Sequence, residues 1–309
     1  MDGWGGPAGE PGAPTLTPLA GGWSGETYLA EVAGERTVVR IYRRGRRGAA
    51  APEIDAAVLG LVRGLVPVPE VLEVRRADPA TDAPGMLVTS FLPGERADLV
   101  LPGLPAPRLA RLGARLGLLL GDLAGMPMPR TGPFLDRHLA IGSLGAAGEG
   151  LAEWVAQHEG ALSARWSPSQ VSALAAVAQQ AQALLDTVGR SCLVHSDLNP
   201  KNLLVRPDTL ELTGVLDWEY AHAGHPYADL GNLLRFDRQP TYVAAVLAAY
   251  TDRREGTPER ALDLARAADL TALVDLAARA GENPVADRAD RLLRAIAARG
   301  DLHAVPHGA

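Results

Sequence analysis

The chain has 309 residues, with 36 Asp and Glu against 30 Lys and Arg, which gives a formal net charge of −6. This balance argues against a dedicated nucleic-acid-binding protein, because such proteins carry a basic surface. Hydrophobic residues make up 47% and charged residues 21% of the chain, which is a globular composition. One cysteine, Cys192, excludes an internal disulfide and a cysteine-clustered metal site.

Targeting signals are not evident at the N-terminus. Residues 1–14 are rich in Gly and Pro and lack the basic and apolar regions of a signal peptide. No stretch of about 20 uncharged apolar residues predicts a membrane span. We therefore expect residues 1–14 to be a flexible tail. The protein is expected to be cytoplasmic, to bind neither membrane nor nucleic acid, and to be a monomer or a homodimer.

The first third of the chain has the pattern of a small α+β lobe. Predicted strands cover 15–19, 27–32, 37–42, 71–74 and 86–89, and a helix is predicted over 49–64. The tetrapeptide 33–36 joins the second and third strands as a hairpin turn. The order strand, strand, strand, helix, strand, strand places a domain boundary close to residue 92.

After Pro93 and Gly94 the pattern becomes helical, with apolar residues at three- and four-residue spacing. Helices are predicted over 108–123, 151–157, 169–188, 242–250, 258–280 and 286–299. One β stretch, Ser191–Glu219, lies within this half. The sequence therefore predicts a larger, mainly helical second lobe over residues 93–309.

The β stretch holds the residues with chemical potential. Residues 206–209 contain Pro and Asp and predict a turn, so the strands 203–205 and 210–216 should pair antiparallel. Asn202 and Asp217 then lie at matching ends of the two strands, beside the loop that carries Asp197. Three oxygen-bearing side chains in one place suit a hard divalent cation and a hydroxyl nucleophile, which are the requirements of phosphoryl transfer.

These segments resemble a known family. The loop His195-Ser196-Asp197-Leu198-Asn199-Pro200-Lys201-Asn202 is similar to the catalytic loop of aminoglycoside phosphotransferases, choline kinases and, more distantly, protein kinases. Residues 216–219 (Leu-Asp-Trp-Glu) resemble the metal-binding segment of the antibiotic- and metabolite-kinase branch, and 224–233 resemble its Gly-x-Pro-x-x-Asp-Leu segment. The resemblance covers about residues 15–250 and implies an α+β, protein-kinase-like fold of two lobes.

The resemblance also implies roles for individual residues. Asp197 is expected to be the base that orients the acceptor hydroxyl, and Asn202 and Asp217 are expected to be Mg²⁺ ligands. Asp229 and His195 are expected to support and shape the catalytic loop. Because these residues are intact, a catalytically silent relative that only binds a ligand is disfavoured. A protein kinase is also disfavoured, because the nine residues between Glu219 and Asp229 are too few for an activation loop.

The catalytic loop departs from the commonest family form at three positions. That form has Gly, His and Gly where this chain has Ser196, Asn199 and Lys201. None of the three supplies the expected base or metal ligands, so the predicted chemistry is unaffected, but the subfamily is left open. The role of Lys201, the one lysine among the 30 basic residues, is also left open.

A nucleotide site is predicted in the first lobe. The turn of residues 21–25 is rich in glycine, so its backbone can approach phosphates at Gly22 and Gly25, and Ser24 can donate a hydrogen bond. Protein kinases hold the α- and β-phosphates with a lysine on the third strand. The matching residue here is Arg40, as in many antibiotic-kinase relatives, and its guanidinium can bind two phosphate oxygens. Val38 shares its face of the strand and is expected to line the adenine site.

Two further expectations follow from the resemblance. The carboxylate that pairs with Arg40 is expected to be Glu53, with Asp55 as the rival. Residues 89–92 are the expected hinge, where the Ser90 carbonyl and the Leu92 amide would bind the adenine edge.

The sequence thus predicts an O-phosphotransferase that uses Mg²⁺ and ATP or GTP to phosphorylate a hydroxyl of a small molecule. The first expectation for the acceptor is a cationic antibiotic, an aminoglycoside or a viomycin/capreomycin-type peptide, which would make the protein a resistance enzyme. The alternative is a metabolite kinase for an amino alcohol, amino acid or sugar. Acidic residues that could attract a cationic acceptor, or form ordinary solvated helix faces, are Glu219, Asp263, Asp269, Asp275, Glu282 and Asp287.

Overall fold

The computed structural model describes residues 15–19, 25–42, 48–78, 80–144 and 150–306. The chain divides into two compact units. The first comprises Met1–Pro93 and Leu135–Ala140, and the second comprises Gly94–Phe134 and Ile141–Ala309. Residues 1–14, for which the sequence predicts a flexible tail, lie outside the described residues.

In the first unit, the predicted strands and helix are all present. They are β1 (Thr15–Pro18), β2 (Gly25–Val32), β3 (Glu35–Tyr42), α1 (Ala51–Val62), β4 (Val71–Arg75) and β5 (Gly85–Ser90). The strands form one antiparallel sheet in the order β1-β2-β3-β5-β4. This order places β3, the strand that carries Arg40, at the centre of the sheet.

The β2–β3 hairpin closes through a two-residue turn. Val32 pairs with Glu35, and the turn residues Ala33 and Gly34 have φ values of 52° and 84°. Positive φ at both positions is the geometry that matches the right-handed twist of paired strands. The turn therefore consists of two residues, Ala33 and Gly34, rather than the four residues 33–36 that the sequence predicts.

Helix α1 packs against β4 and β5 through a buried apolar face. Ile54, Val58 and Val62 recur at four-residue intervals and are at most 8% exposed. At Gly85 on β5, a Cβ atom would lie 2.6 Å from the Pro52 ring, so the helix and the strand approach too closely there for a side chain.

The second unit contains eight helices and seven short strands among its described residues. They are β6 (Glu95–Arg96), α2 (Ala97–Val100), α3 (Ala106–Ala124), β7 (Pro127–Met128), β8 (Gly132–Pro133), α4 (Leu151–Leu162), α5 (Pro168–Leu185), β9 (Ser191–Val194), β10 (Leu203–Val205), β11 (Leu212–Val215), β12 (His222–Gly224), α6 (Ala228–Leu233), α7 (Pro240–Arg253), α8 (Ala261–Ala278) and α9 (Pro284–Arg299). Single 3₁₀ turns also occur at Leu101–Gly103, Pro200–Asn202 and Trp218–Tyr220.

Two helix clusters form the core of this unit. Helices α4, α5, α8 and α9 bury a continuous apolar cluster that includes Trp166, Leu174 and Leu293. Helix α3 packs against α7 along a stripe of glycines four residues apart. At Gly117 in that stripe, a Cβ atom would lie 2.3 Å from the Val246 carbonyl oxygen, so the two backbones are in direct contact. The close approach requires glycine at this position.

The strands of the second unit form two small sheets. One has the order β11-β10-β6, and the other has the order β7-β9-β12-β8. The prediction of a single β stretch over Ser191–Glu219 was therefore incomplete, because β6, β7 and β8 lie earlier in the chain and β12 lies after it. Three of these four strands have only two residues, too few to show an alternating pattern. The segment between β9 and β10 is the predicted catalytic loop.

The turn of the β10–β11 hairpin is anchored to helix α3. Arg108 donates hydrogen bonds to the carbonyl oxygens of Pro207 and Asp208, the latter at 2.9 Å. Arg111 and Arg115 both donate to the carbonyl oxygen of Thr209, at 3.3 and 2.9 Å. The spacing of the three arginines places them on one face of the helix. This face holds the far end of the hairpin by its main chain.

Among the described residues, none of the helices has the length and apolar character that crossing a bilayer requires.

Candidate active site

The catalytic loop connects a buried strand to a hairpin. Three of the four residues of β9 are buried, and Ser191 is the exception. Residues 195–199 follow this strand and lead to the 3₁₀ turn that contains Asn202. The predicted hairpin forms, with Leu203 paired to Val215 and Leu204 to Gly214. The Leu216 amide donates to the Asn202 carbonyl at 2.8 Å. This register brings Asn202 to the start of the 216–219 segment, as expected from a turn centred near Thr209.

Asp229, in the first turn of α6, holds the loop from behind. Its two carboxylate oxygens accept the backbone amides of His195 and Ser196, both at 2.8 Å. Ser196 has a φ of 71°, a left-handed conformation that is uncommon outside glycine. Burial raises the pKa of Asp229, and the neighbouring His195 and the two amide hydrogen bonds oppose that shift. The carboxylate thus maintains a backbone conformation that the loop sequence alone would disfavour.

His195 links the loop to the segment that follows the hairpin. The residue is fully buried, and its Nε2 lies 2.8 Å from the Leu216 carbonyl oxygen. Its Nδ1 accepts the Asp197 backbone amide at 3.2 Å. Its ring lies against Trp218, with ring centroids 4.5 Å apart. The contacts place His195 in the support of the loop and engage both of its nitrogens.

The Asp197 carboxylate is oriented by two asparagines. Asn199 Nδ2 donates to Oδ1 at 2.7 Å, and Asn202 Nδ2 donates to Oδ2 at 2.8 Å. Asn202 Nδ2 also donates to the Asp197 backbone carbonyl at 2.8 Å. Because Nδ2 of Asn202 points toward Asp197, the Oδ1 atom of Asn202 points away from Asp197. The Asp197 side chain is still 23% exposed. A fixed, partly open carboxylate of this kind can accept a proton from a bound hydroxyl.

Lys201 lies beside the same carboxylate. Its Nζ is 3.5 Å from Asp197 Oδ2, and its side chain is 48% exposed. The Lys201 backbone amide is held by Asn199 Oδ1 at 3.1 Å. The structure therefore places the one lysine of the chain next to the expected base.

The segment after the hairpin adds two more carboxylates. Asp217 adopts a left-handed conformation with φ 65° and ψ 59°, and Trp218 is buried with its indole N–H on the Val215 carbonyl at 3.0 Å. Glu219 is only 7% exposed, whereas Tyr220 is 54% exposed. Burial raises the pKa of Tyr220, and the charges of Glu219, Asp217 and Asp197 raise it further. Three carboxylates thus act on one phenol.

Among the described residues, no group of three or more His, Cys, Asp or Glu side chains is placed to hold a metal ion. The donors that the sequence predicts, the Asn202 amide oxygen and the Asp217 carboxylate, are the hard oxygen ligands that Mg²⁺ prefers. Two such donors are sufficient, because Mg²⁺ keeps waters and substrate phosphate oxygens in its remaining positions.

In the first unit, Arg40 lies within an aromatic and acidic setting. Its guanidinium carbon is 5.3 Å from the centre of the Tyr42 ring, two residues along β3. The Tyr42 hydroxyl donates to Asp55 Oδ2 at 2.6 Å, and Asp55 is 4% exposed. Glu53, the expected partner of Arg40, forms an ion pair with Arg76 at 3.1 Å. Asp55, the rival, is on the buried face of α1 with Ile54 and Val58. The choice between the two carboxylates stays a prediction.

The other residues predicted to bind nucleotide are placed as follows. Val38 precedes Arg40 by two residues on β3 and is partly buried. At the end of β5, the Ser90 hydroxyl accepts the Glu70 amide at 2.9 Å, and the Ser90 amide donates to the Glu70 carbonyl at 2.8 Å. Leu92 follows two residues later and is partly buried. Gly25 begins β2, while Gly22 and Ser24 lie outside the described residues.

Most of the late acidic residues are engaged within the second unit. Asp269 forms a buried ion pair with Arg235, with the shortest contact at 2.6 Å. Asp263 contacts His303 at 2.6 Å, Asp275 pairs with Arg279 at 2.6 Å, and Asp287 accepts the Gly281 amide at 2.7 Å. The structure thus explains these four carboxylates by contacts within the fold. Glu282 lies exposed after α8.

Sequence reasoning gave no role to Asn199, which the structure places on the Asp197 carboxylate. The available signal was the position itself, because an Asn two residues after an acidic residue in a loop can hydrogen-bond back to it. Two tryptophans of the second unit belong to the apolar cluster of α4, α5, α8 and α9 or lie against it. Trp166 is 4% exposed and Trp154 packs against the same apolar cluster.

Comparison with known proteins assigns this arrangement to a family. The model of the phosphotransferase enzyme family (APH) matches residues 15–263, a span that includes the catalytic loop, the hairpin and Asp229. The chain belongs to the phosphotransferase enzyme family. The predicted resemblance is thereby confirmed.

Solved structures show the same fold. A thermostable mutant of the aminoglycoside phosphotransferase APH(4)-Ia, in a ternary complex with ADP and hygromycin B, aligns over 93% of this chain and 94% of its own, with 17% identity and a TM-score of 0.65. The GDP complex of wild-type aminoglycoside 2′-phosphotransferase-IIIa aligns over 93% of each chain, with 18% identity and a TM-score of 0.64. The predicted α+β, kinase-like fold is confirmed.

Curated relatives are larger proteins. Acyl-CoA dehydrogenase family member 10 of Mus musculus is 26% identical over 217 residues, which is 68% of this chain and 19% of that protein. Acyl-CoA dehydrogenase family member 11 of Rattus norvegicus is 40% identical over 53 residues, which is 17% of this chain and 7% of that protein. The chain thus spans about a fifth or less of the length of these relatives.

Proposed function

We propose that the chain transfers the γ-phosphoryl group of ATP or GTP to a hydroxyl of a small molecule, assisted by Mg²⁺. The observation that carries the proposal is the Asp197 carboxylate, fixed by Asn199 and Asn202 and next to the 216–219 segment. Asp197 holds the acceptor hydroxyl and takes its proton while the acceptor oxygen bonds to the γ-phosphorus. The bond between that phosphorus and the β–γ bridging oxygen breaks, and its electron pair leaves with the nucleoside diphosphate.

Asn202 and Asp217 are the residues that would hold the metal ion. When bound, Mg²⁺ supplies charge neutralisation of the phosphate oxygens. The register of the hairpin supports this assignment, since the Leu216 amide donates to the Asn202 carbonyl and so brings Asn202 to the start of the segment that carries Asp217. Asp229 and His195 keep the loop in the conformation that presents Asp197.

The first unit supplies the proposed nucleotide contacts. Arg40 is assigned to the α- and β-phosphates, because an arginine is always charged and binds phosphate oxygens in pairs. Its carboxylate partner is assigned to α1, where Glu53 and Asp55 are the two candidates. Gly22, Ser24 and Gly25 are assigned to the phosphates by backbone and hydroxyl contacts, Val38 to the adenine, and Ser90 and Leu92 to its edge.

For the acceptor, we propose a cationic antibiotic of the aminoglycoside or basic-peptide type, with resistance as the biological outcome. The exposed ring of Tyr220 lies close to the carboxylates of Asp197, Asp217 and Glu219, and an aromatic face with carboxylates favours an ammonium group. The net charge of −6 favours the approach of a cation. A structural neighbour with this fold binds hygromycin B.

A second candidate acceptor is a hydroxylated metabolite. It is supported by the relative in Mus musculus, which matches more than half of this chain and is named for acyl-CoA dehydrogenation rather than for resistance. The engagement of Asp263, Asp269, Asp275 and Asp287 within the fold also weakens the case for a polycation.

A panel assay tests the proposal. The purified chain with Mg²⁺ and ATP or GTP is mixed separately with aminoglycosides, basic peptide antibiotics, amino alcohols, amino acids, sugars and hydroxyacyl thioesters, and release of nucleoside diphosphate is followed. We expect one acceptor class to stimulate release and a metal chelator to abolish it. The absence of acceptor-dependent release across the whole panel would contradict the proposal.

The base assignment is tested separately by Asp197→Ala. We expect turnover to fall about 10²–10⁴-fold, the contribution typical of general-base catalysis, with nucleotide still bound. The matched control is Asp208→Ala, at an exposed carboxylate in the turn of the same hairpin, which should leave kcat unchanged. An Asp197→Ala enzyme with wild-type kcat would show that another group takes the proton.

A further inference from the structure

We propose that Lys201 is a catalytic residue whose ammonium group binds the γ-phosphoryl oxygens of the nucleotide during transfer. This inference rests on the proposed phosphotransfer function and assigns a phosphate contact to the second unit. It starts from the position of Nζ, 3.5 Å from the carboxylate that takes the acceptor proton.

The distance shows that the ammonium is near Asp197 but is not committed to it. A charge-assisted N–H···O bond has a length of about 2.7–2.9 Å, clearly shorter than the 3.5 Å found here. The lysine side chain is 48% exposed, and an exposed ion pair of this kind contributes little to stability. Lys201 can therefore exchange the carboxylate for another anion at small cost.

Orientation of Asp197 does not depend on the lysine. Asn199 donates to Oδ1 at 2.7 Å and Asn202 donates to Oδ2 at 2.8 Å, so both oxygens are held by neutral amides. The Lys201 backbone is fixed by Asn199 as well, through its amide at 3.1 Å from Oδ1. The loop thus holds the Asp197 carboxylate and the Lys201 backbone close together, while the Lys201 ammonium can move on its four-carbon side chain.

The chemistry places the transferred group within reach of this ammonium. A hydroxyl hydrogen-bonded to Asp197 is about 2.6–3.2 Å from its carboxylate, and the attacked phosphorus lies about 3–3.5 Å beyond the hydroxyl oxygen. The non-bridging oxygens of that phosphorus are therefore within a few ångströms of a cation that already lies beside the carboxylate. As the acceptor oxygen–phosphorus bond forms and the bridging bond breaks, these oxygens keep their negative charge, and a nearby ammonium stabilises it.

The charge distribution of the segment supports the assignment. Between residues 191 and 232 the chain has two Lys or Arg residues, Lys201 and Arg206. Arg206 lies at the turn end of the hairpin, where it pairs with Glu211 at 3.6 Å. Of these two residues, Lys201 is therefore the one that lies at the catalytic end of the segment, beside Asp197.

The test compares Lys201→Met with Arg206→Met. The two variants lose the same charge from the same hairpin, and both wild-type side chains are about half exposed, at 48% and 55%. Calorimetry in the presence of Mg²⁺ measures the affinity of each protein for ADP and for the non-hydrolysable analogue AMP-PNP, which needs no acceptor. We expect Lys201→Met to lose affinity for AMP-PNP about tenfold or more, the value of a charged hydrogen bond, with ADP binding unchanged.

Turnover supplies the second readout. With an active acceptor, kcat of Lys201→Met should fall about 10²-fold, as for removal of one oxyanion donor, and Lys201→Arg should recover part of it. Arg206→Met should match the wild type in both measurements. Wild-type AMP-PNP affinity in Lys201→Met, equal weakening of ADP and AMP-PNP, or equal effects in the two variants would each overturn the assignment. If the wild type itself binds no nucleotide, the proposed function fails as well.

Discussion

His225 should make the stability of the second unit pH-dependent. The residue lies in the segment that leads to Asp229, and burial lowers its pKa to about 4 from the value of 6.5 expected in the unfolded chain. A folded-state pKa below the unfolded value means that the unfolded chain binds the proton more tightly. The contribution of His225 to stability is therefore complete above pH 6.5 and is lost as the pH falls toward 4.

These two pKa values determine the size of the effect. Between pH 7 and pH 5 the difference in proton binding amounts to about 2 kcal/mol of unfolding free energy. His225→Asn removes the titration, while its amide oxygen can still accept the Tyr227 amide, which lies 3.3 Å from Nδ1 in the wild type. Urea unfolding followed by tryptophan fluorescence at pH 7, 6 and 5 gives the free energy of each protein.

The comparison removes the contribution of other groups. Carboxylates titrate equally in both proteins, so the difference between their pH dependences belongs to position 225. We expect the wild type to lose about 2 kcal/mol more than His225→Asn between pH 7 and pH 5. Parallel pH profiles for the two proteins would refute the reasoning, because they would show that a protonated imidazole is tolerated in the folded state.

Two further predictions concern packing and buried charge in the second unit. Asp269→Ala should destabilise the protein by about 3–5 kcal/mol, since it leaves the buried Arg235 guanidinium without its carboxylate, whereas Asp275→Ala, at an exposed pair, should change stability by less than about 1 kcal/mol. Equal effects in denaturant unfolding would contradict this distinction. Gly117→Ala should lower the unfolding temperature because its Cβ would lie 2.3 Å from the Val246 carbonyl oxygen, while Gly160→Ala, at an open position in α4, should raise it through helix propensity. A stabilised Gly117→Ala protein, measured by thermal unfolding, would show that α3 and α7 can separate at little cost.

The parts of the fold that could be predicted are those with a regular pattern. The alternation along β2 and β3 and the three- and four-residue spacing of α3, α8 and α9 identified these elements. The turn residues at 206–209 placed the hairpin so that Asn202 meets the 216–219 segment, as the Leu216–Asn202 hydrogen bond shows. The periodic elements and the turn both depend on residue types that are close together in the sequence, so they can be predicted from one sequence.

Long-range contacts were not accessible in the same way. The pairing of β6 with β10 joins residues about a hundred positions apart and involves only two residues of β6. The left-handed conformation of Ser196 is held by a distant residue, because its amide donates to the Asp229 carboxylate. Sequence spacing also did not show that Asp55 belongs to the buried face of α1, since that face is defined by the packing of the helix.

The arginine face of α3 has an evolutionary consequence. Arg108, Arg111 and Arg115 bind carbonyl oxygens at 207–209, and every amino acid provides a carbonyl oxygen. The turn can therefore change its side chains without losing its attachment, while the other end of the same hairpin carries Asn202 and Asp217, the proposed metal ligands. Mutational drift at the turn is thus separated from the proposed site, because the arginines of α3 bind the main chain of the turn whatever its side chains are.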